Sequence, residues 1–564
     1  MKVIVQGQGV IDLTQKDFVA SGGEGSVYAR GVTAYKVFTN PSSMLPLGKI
    51  TELAAITDPC VMKPETILLD PKSNTPIGYT TPFVKNALPL CQTFTRAFRE
   101  RENLDHPQML KLVVRLREMI ESTHKAGVLV VDLNELNYLV EKTFHEIYGI
   151  DVGGYQTKHY PATALMPSVK DWSVKGNSFT EGSDWFSFAC VAYQMFTGIH
   201  PYKGKHPTVH GLEERMRAGI SVFDPSVTVP KVVYPLDVIP PGYRAWFKAV
   251  LQGGERIPPP VDPGAFLVAA LVTRTVSGGA LLEISEVQSF NEALLGFTEQ
   301  GSTSVSWTAN GVWLNLRPAL GPTPVKTVGF SPKLNHALVA WIEGADLKLF
   351  DATTAKMLPL DLRAEELMGY AGRIYVRSTD QIIEVLTNEL GNQVVPSPKI
   401  VTHVLEHATK MYRGVVLQDL LGSAFVSVYP RSGASYQLRI PELEKYKVID
   451  ARFDNRVLMV TGIGKGTGRT YDRLTFVFDG DYTSHNLVGT QKDITPSGLN
   501  FLVLEGGTCV HLTEEEKLEV WNVDHPGKIR VLEDKALGND LQLIKLAGRV
   551  GFLRGNKVFS MRMK

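Results

Sequence analysis

The sequence predicts two architectures in one chain: a mixed α+β domain over roughly the first 260 residues and an all-β domain over most of the rest. Three observations carry this. The chain has 564 residues, too many for one ordinary hydrophobic core. Before residue 260, strand-like runs give way to stretches with helical periodicity. From about residue 302 onward the apolar period is mostly two, and the intervening turns are rich in Gly, Asn, Asp and Pro.

Residues 18–38 read as a glycine-bearing hairpin followed by a strand. Gly22, Gly23 and Gly25 sit between two strand-like runs, and Val27 lies in the second. Glycine lets a backbone approach phosphates closely and expose N–H groups to them. By itself this is also what a plain hairpin turn looks like. Lys36 stands in the apolar run Thr-Ala-Tyr-Lys-Val-Phe, where an amine needs an anionic partner. A short helix is expected over Gly48 to Ile56, with Glu52 as the candidate partner of Lys36; a surface glutamate is the alternative. The stretch Gly78 to Val84 reads as a strand leading into a connecting segment, Pro82-Phe83-Val84.

Met109, Leu112, Val113, Leu116, Met119 and Ile120 recur at three- and four-residue steps, which predicts an amphipathic helix. His124 falls in its last turn and reads as structural, and Gly127 stops it. Three polar residues then stand out from apolar surroundings: Asp132 and Asn137 in a loop, and Asp151 after a strand. Ser183 to Thr197 is apolar on nearly every side, so it belongs in the centre of a core. Asp184 lies near its start.

This order of parts resembles the protein-kinase superfamily, and more narrowly the divergent bacterial and phage kinases with Asp-Leu-Asn in the catalytic loop. The resemblance covers roughly residues 10–260. It implies an N-lobe over 1–84 and a C-lobe over 85–260. It implies that Gly22, Gly23, Gly25 and Val27 cover a nucleotide, that Lys36 with Glu52 holds its phosphates, and that the backbone of Pro82, Phe83 and Val84 faces its base. Pro82 has no N–H, so a neighbour must donate. Asp132 would be the base, with Asn137 and Asp151 as the ligands of Mg²⁺ or Mn²⁺ beside ATP. The resemblance also implies that Asp184 supports the Asp132 loop. The sequence departs from the family at three places. Val130 replaces the usual His or Tyr, Asn134 replaces the catalytic-loop Lys, and Ser168 replaces a Glu that normally pairs with an arginine matching Arg256. The resemblance therefore predicts that this last ion pair is missing. Tyr155, Thr157, Tyr160 and Thr163 follow Asp151, with no nearby basic cluster to order a phosphorylated form.

The run Ile257-Pro-Pro-Pro marks a boundary. Residues 261–300 read as a linker or the first β elements, with a turn at Gly278-Gly279. Over 301–564, similar units recur roughly every 40 to 50 residues, which predicts a β-propeller of six or seven blades, with five as another count. Two packed sheets or stacked β-domains would also use such strands. The loop Gly462 to Gly468 superficially resembles a phosphate loop but lacks the Gly-Lys-Ser/Thr ending, so a long hairpin is the better reading.

Composition narrows the function. With 59 basic and 58 acidic residues, the net charge of +1 offers no global attraction to nucleic acid or an anionic membrane. Four cysteines lie singly, without metal-ligand spacing, as suits a reducing compartment. No run is long and apolar enough to span a bilayer, and the N-terminus lacks a signal peptide. The expectation is a cytoplasmic Ser/Thr protein kinase that uses ATP and Mg²⁺ and docks a protein substrate or partner on its β domain. A pseudokinase or nucleotide-binding scaffold is the alternative, followed by a small-molecule kinase.

Overall fold

The computed structural model describes residues 1–162, 165–262, 281–431, 433–465 and 470–564. Thr163, the Gly278-Gly279 turn and residues 466–468 of the Gly462–Gly468 loop lie outside them. The chain divides into two compact units. One is built from the chain up to Asp262 with short segments at 464–465, 470 and 495–498, and the other from most of the chain after Leu281. Among the described residues, no helix is long and apolar enough to cross a membrane.

The first unit opens with seven strands: β1 (Lys2–Val5), β2 (Gly9–Asp12), β3 (Phe18–Ser21), β4 (Gly25–Arg30), β5 (Thr33–Phe38), β6 (Ile67–Leu69) and β7 (Pro76–Pro82). They form one antiparallel sheet in the order β2-β1-β6-β7-β5-β4-β3. Val3, Val5, Leu13, Val37, Leu68 and Ile77 pack together against it. Helix α1 (Leu47–Leu53) follows β5. Short strands β8 (Leu88–Pro89), β9 (Tyr138–Val140) and β10 (Ile147–Gly149) make a second, three-stranded sheet.

Helices α2 (Arg96–Glu102), α3 (His106–Lys125), α4 (Glu181–Thr197), α5 (Leu212–Ala218) and α6 (Pro241–Leu251) complete the unit. Helix α3 starts where Asp105 and Gln108 form a reciprocal cap, with Pro107 in the first turn, and buries the six apolar residues of its predicted face. Helix α4 begins at a Thr180–Ser183 cap and is buried over nearly its whole length. Gly198 ends it at φ +83°, and a Cβ there would lie 2.7 Å from the Phe94 carbonyl oxygen, so conformation and space both demand glycine. Buried Arg99 donates to the Met195 and Phe196 carbonyls at this C-terminus, placing a cation where the helix dipole favours one.

The second unit consists, among the described residues, of seven four-stranded antiparallel sheets. Six are consecutive meanders starting at Gly296, Thr327, Glu366, Thr409, Tyr446 and Phe501. The seventh combines the unit's first strand, Leu282–Ser289, with its last three, and Leu282 pairs with Met563. The cores join neighbours in a cycle. Val305 packs with Val339, Leu338 with Ile374, Tyr375 with Val416, and Val428 with Leu458. Val457 packs with Phe501, Leu502 with Leu543, and Ile544 back against Phe297 of the first meander. Each sheet is thus buried on both faces, which explains the apolar inner strands.

Candidate functional site

The glycine turn is the β3–β4 hairpin. Ala20 faces Val27 and the Gly22 N–H donates to the Gly25 carbonyl at 2.8 Å. A Cβ on Gly25 would meet the Val37 carbonyl oxygen at 2.2 Å, whereas Gly22 and Gly23 have open space around them. Gly25 is therefore needed for strand packing, and the other two leave room above the turn. Half-buried Val27 pairs with Lys36 across β4 and β5.

The Lys36 ammonium meets the Asp151 carboxylate at 2.8 Å and Glu24 at 3.2 Å. Residues 115 apart in sequence therefore share one ion pair. Lys36 is 19% exposed and Asp151 52%, so the carboxylate opens to solvent and the pair is screened on that side. Burial lowers the Lys36 pKa, but the Tyr79, Asp151 and Glu24 charges outweigh it, and the net shift is upward. Lys36 stays cationic at neutral pH. Asp151 sits in the left-handed region at φ 60° and leads into the 3₁₀ turn Val152–Gly154.

Glu52 does not pair with Lys36, and the expected assignment is corrected here. Glu52 accepts from the His159 ring at 2.5 Å and its backbone N–H at 3.2 Å. The neighbouring Thr157 hydroxyl and the hydrogen bonds from His159 hold its carboxyl down to about 2. The reason lies in α1, which buries Lys49 together with Leu53. The Lys49 ammonium donates to the Gly153 carbonyl at 2.7 Å, so the helix is tied to the turn after Asp151 by a lysine while Glu52 faces the following segment. Burial lowers the Lys49 pKa.

Asp132 and Asn137 come together as well. The Asn137 amide donates to the Asp132 carbonyl at 3.0 Å and to its carboxylate at 3.3 Å. The other carboxylate oxygen accepts the Met166 N–H at 2.7 Å. Asn134 is buried and structural: its oxygen accepts the Leu136 N–H and its amide reaches the Asp132 carbonyl. The loop is held from below by fully buried Asp184, which accepts the N–H groups of Val130 and Val131 at 2.8 Å each and a His124 ring N–H at 2.9 Å. Val131 has φ +61°, a strained conformation for a β-branched residue, and these bonds hold it there.

At the end of β7, the Phe83 N–H donates to the Val32 carbonyl at 2.7 Å. Phe83 continues the β5–β7 pairing, in which Thr33 faces Pro82. Its N–H is thus already used, and only alternate positions along that edge can face a ligand.

The expected loss of the late arginine's ion pair is also corrected. Arg256 makes a two-pronged bond to Asp171 at 2.6 and 2.8 Å. The acid has moved three residues beyond Ser168, whose carbonyl instead accepts from His200 at 2.7 Å. Asp171 is 3% exposed, so removing it strands a half-buried cation. Asp171→Ala is expected to cost about 2–3 kcal/mol in a denaturant titration, and Ser168→Ala under about 0.5 kcal/mol.

His200 gives a pH signature. Its Nε2–H serves the Ser168 carbonyl and its Nδ1 accepts the Tyr202 N–H, which fixes a neutral ring. Burial lowers its pKa from 6.5 to about 3. The unfolded chain therefore binds a proton first as pH falls, so stability present above 6.5 is lost on the way to about 3. Thermal midpoints measured from pH 7 to 4 should fall, and His200→Gln should flatten the slope.

Sequence reasoning missed Glu24, Lys49, His159 and Asp171. Only Glu24 carried a signal, as an acid inside the glycine turn. A scan against protein families and a search of curated proteins find no match. Among solved structures, the Cydia pomonella Granulovirus kinase is similar at 12% identity and a TM-score of 0.33, over 43% of this chain and 86% of that one. A superposition that loose leaves the functional reading to the residues themselves.

Proposed function

We propose that the first unit is a bilobal kinase-like domain that binds ATP with Mg²⁺ and transfers the γ-phosphoryl group to Ser or Thr hydroxyls of a protein. The observation that carries this reading is the Lys36–Asp151 ion pair, 2.8 Å long and open on its carboxylate side. The donor set suits the cation: Asp151 and Asn137 are hard oxygen ligands. Among the described residues, no group of three or more His, Cys, Asp or Glu could hold a metal alone, so phosphate oxygens would complete the shell. When bound, Mg²⁺ neutralises phosphate charge during transfer.

The chain's own residues do the rest. Lys36 turns from Asp151 toward the phosphates and orients them. Gly22 and Gly23 leave room for those phosphates at the hairpin turn. Alternation along the edge makes the Val84 N–H and the Pro82 carbonyl the groups facing the base. Asp132 accepts the proton of the attacking hydroxyl on the carboxylate oxygen beside Asn137, while Met166 holds the other oxygen. The domains proposed are 1–84 and 85–260 for the two lobes, 261–300 for the connection or first β elements, and 301–564 for the main β domain. The second unit is read as a seven-bladed propeller that docks a protein substrate or partner. Its cycle of inter-sheet cores and the joining of first and last strands support that reading.

One observation favours a second reading, a nucleotide-binding scaffold. Asn134, at the place of the missing catalytic lysine, is tied into its own turn and brings no cation. The discriminating experiment incubates the full chain with labelled ATP, Mg²⁺ and a generic protein substrate, with EDTA as control. Mg²⁺-dependent label on Ser or Thr supports transfer. Nucleotide binding without transfer supports the scaffold.

A further inference from the structure

We propose that Arg413 and Arg452, in the second unit, form an oxyanion site that takes a phosphate group, free or as a monoester. Arg413 lies in the turn between strands Thr409–Tyr412 and Val415–Leu420, and Arg452 lies within strand Tyr446–Asp454 of the next sheet. The two residues form a parallel bridge, and the Phe453 N–H donates to the Arg413 carbonyl at 2.9 Å. Bridged chains lie about 4.8 Å apart, so both side chains rise from one ledge.

Neither cation is neutralised in the way a structural arginine usually is. Arg452 stacks on Phe501 at 5.2 Å and donates one Nη1 bond to the Leu499 carbonyl at 3.1 Å. Its Nε is buried without a hydrogen-bond partner. Arg413 is exposed, and its guanidinium has no hydrogen-bond or ion-pair partner among the described residues. Burial, and then the charge of Arg413, lower the Arg452 pKa to about 9. Two like charges held together at a cost in this way are relieved by an anion.

The neighbouring carboxylates do not fill that role. Asp454 already accepts the Val503 N–H at 2.8 Å and the Lys545 ammonium at 2.7 Å. Asp450, two residues before Arg452 on the same face of the strand, accepts the Ala451 N–H and offsets part of the charge. Lys545 adds a third cation to the cluster. These residues, with Tyr370, whose hydroxyl oxygen accepts the Asn455 N–H at 3.1 Å, come from five of the seven sheets. The ledge lies where first strands of neighbouring sheets meet, and Arg413 at its edge is exposed. Two guanidiniums offer donors from two directions. A tetrahedral phosphate with three terminal oxygens and up to two charges satisfies both, whereas a planar carboxylate satisfies one fork.

Two sources share this chemistry, free phosphate and a phosphorylated side chain. The test titrates the full chain by calorimetry at fixed ionic strength with sodium phosphate, a phosphoserine peptide and its unphosphorylated form. One saturable site is expected, with the unphosphorylated peptide at least tenfold weaker. A phosphopeptide that binds tighter than phosphate assigns the site to a phosphorylated protein; equal affinity assigns it to the small anion. Arg413→Gln, at an exposed position, should weaken binding at least tenfold with the thermal midpoint unchanged. Absence of saturable binding, or unchanged affinity in Arg413→Gln, overturns the proposal. Binding to the first unit would be revealed by that second outcome.

Discussion

Replacing Asp132 by asparagine is expected to lower phosphoryl transfer by about 10²–10⁴-fold, the usual contribution of a positioned general base. The substitution is chosen for its geometry. Asparagine keeps an oxygen able to accept the Met166 N–H, which holds one Asp132 carboxylate oxygen at 2.7 Å. It keeps the loop backbone, whose carbonyl accepts the Asn137 amide at 3.0 Å. It removes the charge that takes the substrate proton. The loss should fall on kcat, with ATP affinity within about threefold of the parent, because the charge that Lys36 meets is that of Asp151 and Glu24. A variant that transfers phosphate at the parental rate would remove Asp132 from the chemistry and leave Asn137 and Asp151 as a binding site only.

Asp184→Ala should be the most damaging single change to the first unit, costing about 3–5 kcal/mol. The carboxylate is wholly buried and accepts three hydrogen bonds, two of them from consecutive backbone N–H groups. Alanine leaves both donors unsatisfied and releases Val131 from its φ of +61°. Because Asp132 follows directly, the base would lose its position too, so activity should fall further than Asp132→Asn alone predicts from charge. Calorimetry would show the first unit's midpoint falling by roughly 10 °C. Asp184→Asn, which retains one acceptor oxygen, should lie between. A midpoint shift in Asp184→Ala smaller than that of Asp171→Ala would contradict this account of the loop.

Much of this was readable in the sequence because cost makes residues conspicuous. Lys36 in an apolar strand and Asp184 in a helix apolar all round both need partners, and both have them. The apolar face of α3 and its C-terminal end followed from its period and its glycine stop, whereas its start at the Asp105 cap did not. Partner choice was less readable. Glu52 and Lys49 lie three residues apart on a seven-residue helix, and only the packing of α1 decides which one faces inward. Asp171 was missed because a motif read by position cannot follow an acid that moves three residues while still reaching Arg256.

In the β half, the apolar inner and middle strands stood out. The outer strands did not: His485–Gln491 and His525–Leu532 are exposed along most of their length, so no alternation marks them. The leading strand Gly296–Gln300 fell in the ambiguous stretch before residue 301, which is why one of the seven sheets could not be counted from the repeats.

The most direct test of the central claim is calorimetric titration of the full chain with ATP, with Mg²⁺ and with EDTA, beside Asp151→Asn. The account predicts saturable one-site binding that needs Mg²⁺ and weakens at least tenfold in the variant, since Asp151 supplies the charged ligand. Equal affinity with and without Mg²⁺, or an Asp151→Asn variant that binds as the parent does, would mean that the Lys36–Asp151 pair is a structural ion pair and not a nucleotide site.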